Sequence, residues 1–160
     1  MFKKLLTTRS LCVSAIIAAL YAALTMLLAP ISYGAIQCRV SEAMTMLPLL
    51  LPQAIPGLFL GCLVANLMTG MLTDVIFGSL ATLIAAAGTW LLRKKPLLAA
   101  LCPIVANGVI VGLVLSLSFG LPPALTMAEV AIGETAAVAM GLFILVPAIR
   151  RSRIDLSRLS

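Results

Sequence analysis

Four long stretches of this chain carry no charge. Residues 10–38, 43–73, 75–92 and 96–128 contain no Lys, Arg, Asp or Glu. An α-helix needs about 20 apolar residues to cross the hydrocarbon core of a bilayer. Three of the runs exceed that, and two are long enough for more than one crossing. Only 10% of the chain is charged and 62% is hydrophobic, against about 25% charged residues in soluble domains. The pattern predicts an all-α, polytopic membrane protein made of one transmembrane domain over residues 1–160. A cleaved signal peptide is the rival reading of Lys3, Lys4 and the apolar stretch behind them. That stretch runs to Pro30, beyond the roughly 7–15 residues of a signal core, so it is read as a permanent helix.

Breakers divide the runs into six expected helices, at about 9–28, 41–52, 56–72, 74–92, 97–119 and 124–149. Pro30 closes the first, Pro48 and Pro52 shorten the second, and Gly120-Leu121-Pro122-Pro123 turns the fifth into the sixth. Charge tests the count, because short loops rich in Lys and Arg stay in the cytoplasm. With six passes and both termini inside, every basic residue but Arg39 falls on the cytoplasmic side. Five or seven passes would place a basic terminus outside. Four would serve if residues 41–52 formed a re-entrant segment paired with the next helix. The six-helix bundle in a bacterial cytoplasmic membrane is preferred. The same distribution accounts for a pI near 9.6 without nucleic acid.

In this topology the polar side is the outside. Tyr33, Gln37, Arg39, Glu42 and Asp74 lie near the outer face, Glu129 and Glu134 in the outer half of the sixth helix, and Asn66 and Asn107 near mid-membrane. An ionised group at mid-membrane costs about 2.5–3.5 kcal/mol on insertion scales, so these positions are candidate solute ligands. Each also has a structural reading. Glu42 and Asp74 stand near helix starts, where carboxylates offset the dipole. Glu129 follows Thr126 at capping-box spacing. Asn66 and Asn107 could be interhelical hydrogen-bond partners, and Arg39 could pair with Glu42 or Glu134. Glu134 lies about 7.5 Å deeper than Glu129, beyond the reach of capping.

Small residues repeat at four-residue spacing. Ala15, Ala19 and Ala23 form one row on the first helix, beside Ser14, Ala18 and Ala22, and Gly57/Gly61 and Gly108/Gly112 form others. Such rows let helices approach closely; the glycine pairs are read as packing within the bundle. The chain has no histidine, no Cys or carboxylate cluster at metal-ligand spacing and no phosphate-loop motif. Neither a catalytic constellation, nor a cofactor site, nor an ATP-driven motor is legible. A solute-binding subunit energised by another protein fits best. A stand-alone proton- or sodium-coupled carrier is the alternative of a different class, and a purely structural protein gives no account of the outer charges.

The motifs YGAIQCRVSEAMTMLP (33–48), PGLFLGCLVAN (56–66) and DVIFGSLATL (74–83), with Gly133-Glu134, resemble the QueT family nearly end to end. The resemblance implies a substrate-capturing S component of an energy-coupling factor (ECF) transporter. Such a protein has six helices and works with a transmembrane T subunit and two cytoplasmic ATPase subunits. It implies a docking role for the row Ala15, Ala19 and Ala23, and a substrate among queuosine precursors, which are 7-deazaguanines. Another small molecule such as a B vitamin is the alternative substrate. Glu42, Asp74, Glu129 and Glu134 against Arg39 alone suit a donor-rich or cationic ligand. Glu134 or Glu42 would accept the guanine edge bidentately, Asn66 or Asn107 would meet its carbonyl, and Tyr33 would cover the ring.

Overall fold

The structure, a computed structural model, describes residues 7–32, 39–70 and 72–152. All regular structure among them is helical. Helix α1 spans Thr8–Leu27 and is followed by a single turn, Ala29–Ser32. A 3-10 helix occupies Val40–Leu49 and α2 spans Ala54–Thr69. Then come α3 (Asp74–Leu91), α4 (Pro96–Phe119) and α5 (Pro123–Arg151). Helices α1, α3, α4 and α5 are long and apolar enough to cross a membrane, and α2 is a shorter apolar helix.

The expected second helix departs most from the sequence reading. It is a 3-10 helix of 10 residues, about 20 Å long at about 2.0 Å per residue. The expected count of six includes this element and α2, both shorter than the roughly 30 Å hydrocarbon core. Pro48 supplies no N–H, and the chain is already turning at Leu50, whose N–H bonds to Leu47 O at 2.8 Å.

This short helix sits at the centre. Every residue from Ser41 to Leu49 is buried, and α1, α2, α3, α4 and α5 all contact the segment. The five α-helices form an arc around it, each packed on the next in chain order. Between α1 and α5 the arc stays open as an apolar groove of about 700 Å³, floored by Met44 and Leu47 and walled by Leu20, Leu24, Ile144 and Ile149.

Glycines set the helix spacings. A Cβ at Gly57 would meet Ser14 O at 2.7 Å, and one at Gly61 would meet Ala18 O and Tyr21 Cβ at 2.8 Å. The constant offset makes α1 and α2 parallel and brings their backbones into direct contact. Gly112 approaches Met127 and Gly108 approaches Ala131, so α4 and α5 run antiparallel. Following the chain through its short turns puts the start of α1, the ends of α3 and α5 and the start of α4 at one end of the bundle. Arg9, Arg93, Lys94, Lys95, Arg150 and Arg151 all lie there, at helix termini, where Trp90 stacks under the Arg93 guanidinium at 3.8 Å. Among the described residues only Arg39 is basic away from that end.

Overpacking a tight helix contact costs about 1–3 kcal/mol. Gly61→Ala is therefore expected to lower the thermal unfolding midpoint in detergent, whereas substitution at exposed Leu117 on the lipid-facing side of α4 should leave it unchanged.

Candidate solute-binding site

A polar stripe runs down the inner face of α1. Ser10, Ser14, Tyr21 and Thr25 are buried, with Ile17 between them, while Ala15, Ala19 and Ala23 face outward. The stripe grips residues 41–53 at both ends. Ser14 Oγ donates to Gln53 O at 2.9 Å, and Gln53 Nε2 lies 3.5 Å from Ser10 Oγ. One turn apart at the other end, Thr25 Oγ1 bonds Ser41 Oγ at 2.6 Å and the Tyr21 hydroxyl donates to Glu42 Oε1. These are bonds across large sequence separations, each joining polar groups that have no water to turn to.

Glu42 is 2% exposed and points from the 3-10 helix into the bundle. Thr82 of α3 also approaches Oε1, at 3.4 Å. Its hydroxyl stands 3.1 Å from Gly78 O and 3.3 Å from Cys62 Sγ as well, and with one proton it serves one acceptor at a time. The second oxygen, Oε2, has no hydrogen-bond partner.

That oxygen belongs to a small closed cavity lined by Arg39, Glu42, Gly78, Thr82, Asn107, Val111, Val130 and Glu134. The 3-10 helix, α3, α4 and α5 each supply part of the wall. On α3 the wall is made by Thr82 and by Gly78, the last residue of a π-turn, Asp74–Gly78, a helical defect often found at functional sites. Glu134 Oε1 and Asn107 Oδ1 are buried and likewise without a hydrogen-bond partner. Three polar side chains from three elements thus present unused acceptor atoms to one space. The cavity volume is about 10 Å³, room for one water molecule, whereas small-molecule pockets run to about 300–1,000 Å³. The arrangement is closed.

Of the expected site residues, Arg39, Glu42, Asn107 and Glu134 are brought together here. Asp74 stands behind them, its Oδ2 3.6 Å from Arg39 Nη2. Arg39 therefore pairs with Asp74 at the start of α3, and not with Glu42 or Glu134 as the sequence suggested. The reason is local: Glu42 N bonds Arg39 O at 2.9 Å, and the tight turn sends the Glu42 side chain inward. Asn66 donates to Asp74 O at 2.9 Å and to Cys62 Sγ at 3.3 Å; it ties α2 to α3 and is not among the cavity-lining residues. Glu129 is only half-buried and also lies off the cavity. Five residues rotate a helix by about 140°, so Glu129 and Glu134 cannot share a face. The expected capping partner is engaged elsewhere, since Thr126 Oγ1 donates to Pro122 O at 3.0 Å. Tyr33 and Gln37 lie outside the described residues.

Tyr21 and Thr82, both of which reach Glu42 Oε1, are positions that the sequence reading missed. A signal for Tyr21 existed: Ser10, Ser14, Tyr21 and Thr25 recur at helical spacing inside an uncharged run. Among the described residues no group of three Cys, Asp or Glu side chains comes together as a metal-ligand set. What the site offers is hydrogen-bond acceptance. Glu42, Asp74 and Glu134 against Arg39 leave an excess of two negative charges when all are ionised.

A helical bundle that spans the membrane several times and holds an acidic acceptor site inside defines a membrane transport protein. The chain belongs to the QueT transporter family, whose model matches residues 11–150. It is 43% identical over 72 residues to the queuosine precursor transporter QueT of Lactococcus lactis subsp. cremoris (strain MG1363), an alignment covering 44% of this chain and 43% of that relative. The chain thus aligns with less than half of that relative's length. No solved structure matches it.

Removing one partner from a buried ion pair leaves the other uncompensated, at a cost of about 3–5 kcal/mol. Asp74→Ala should destabilise the protein in detergent unfolding by less than that, because Arg39 still shares the cavity with the Glu42 and Glu134 carboxylates.

Proposed function

We propose that this chain is the substrate-capturing S component of an ECF importer in the bacterial cytoplasmic membrane, with both termini inside. The substrate is a queuosine precursor of the 7-deazaguanine type. The single observation that carries the substrate class is the meeting of Glu42, Asn107 and Glu134, each with an unused acceptor atom, in one buried cavity. A guanine-like ring presents adjacent N–H donors, and an aminomethyl substituent adds a cation. Such a ligand compensates the excess of carboxylates over the one guanidinium in this cavity. An anionic vitamin would add a third negative charge to the same space. The family and the name of the Lactococcus lactis relative point the same way.

Coupling to a T subunit and two cytoplasmic ATPases supplies the energy for which this sequence carries no phosphate-loop motif. The outward row Ala15, Ala19 and Ala23 gives a partner helix a flat surface on which backbones approach closely. The adjoining groove between α1 and α5 extends that surface with aliphatic side chains. The T subunit is the occupant this reading assigns to that face.

Calorimetry on the purified protein in detergent tests the substrate. Queuine, its aminomethyl and cyano precursors, guanine and a vitamin panel are the titrants. Tight binding of one deazaguanine, competed by its relatives, is expected. Glu134→Gln should weaken it by about 10–100-fold, the range for hydrogen bonds to charged groups, with the unfolding midpoint retained. Binding of a vitamin in place of every deazaguanine would overturn the substrate.

A further inference from the structure

Glu42 is held asymmetrically. Tyr21, itself fully buried and outside the cavity lining, commits its hydroxyl to Oε1, whereas Oε2 alone is left open. Thr82 has Gly78 O as a nearer acceptor, so Tyr21 is the dedicated donor. The ring is fixed in turn: Gly61 has no side chain where a Cβ would crowd Tyr21 Cβ at 2.8 Å, and Thr25 Oγ1, one turn on, donates to Tyr21 O at 2.8 Å. In the same cavity lining, Glu134 Oε1 and Asn107 Oδ1 are also open acceptors.

We propose that Tyr21 is a positioning residue for ligand capture, holding Glu42 so that its open oxygen Oε2 is aimed to accept an N–H of the ligand. This rests on the reading of the cavity as the solute site and sharpens it. With Oε1 already accepting from Tyr21, Oε2 is the Glu42 oxygen with its full acceptor capacity left for a ligand N–H.

The test uses the full chain in detergent as the unmodified protein, Tyr21→Phe, Glu42→Gln and the double variant. The titrants are 7-aminomethyl-7-deazaguanine and 7-cyano-7-deazaguanine. Tyr21→Phe keeps the ring in place and is expected to weaken whichever of them binds by about 10–100-fold. In the Glu42→Gln background the same change should cost less than about threefold, because the group it positions is already altered. A merely structural Tyr21 gives losses that multiply in the double variant, and that result overturns the positioning role.

Infrared spectroscopy judges the positioning without ligand. The Glu42 carboxyl band, identified by its loss in Glu42→Gln, is expected to shift in Tyr21→Phe, and an unmoved band overturns the role. If no titrant binds, the substrate class fails, and the infrared result alone decides whether Tyr21 holds Glu42.

Discussion

A carboxyl group in the middle of an apolar bundle must be supplied with donors, and much of this structure is arranged around that demand at Glu42. The group sits on a 3-10 helix enclosed by the rest of the fold. Tyr21 reaches it from α1, Thr82 from α3, and Asn107 and Glu134 face the same space from α4 and α5. Each donor or acceptor arrives on a different helix, so the position of Glu42 depends on the packing of the whole arc. The glycine contacts of α1 with α2 and of α4 with α5 supply that packing. They bring backbones close enough for short side chains such as serine and threonine to bridge between elements.

Arg39 lines the site and pairs with Asp74 behind it. The pair holds the start of α3 against the start of the 3-10 helix, and the site keeps an excess of acidic groups. An acidic cavity with room for one water is a tense arrangement in a membrane interior. On the proposed reading a donor-rich solute relieves that tension, and its binding free energy would couple capture to a change of shape.

Much of the architecture was legible because bilayers impose simple rules. The uncharged runs and the Pro and Gly breakers located α1, α3, α4 and α5 to within a few residues. The basic clusters fall at one end of the bundle, as charge counting alone indicated. The second segment escaped because Pro48 and the turn that follows Leu49 decide its helix type. Those are local backbone matters that an apolar run does not encode. Within the site, Glu42, Asn107 and Glu134 stood out as ionisable or amide groups inside apolar sequence. Asn66 and Glu129 carried the same signal yet serve elsewhere, Asn66 as a tie between α2 and α3 and Glu129 off the cavity. Tyr21 and Thr82 gave too weak a signal, since hydroxyls occur commonly in membrane helices.

Taken alone, then, the sequence determined that this chain enters a membrane, roughly where it crosses, which end carries the positive charge and which residues are costly to bury. Those properties follow from the chemistry of single residues and their spacing along one helix. Tertiary structure decided the pairings: Arg39 with Asp74, Tyr21 with Glu42, and Glu42 with Glu134 across one cavity. Such contacts join residues on different helices, and they depend on helix rotation and close approach, which are set only when the elements pack against one another.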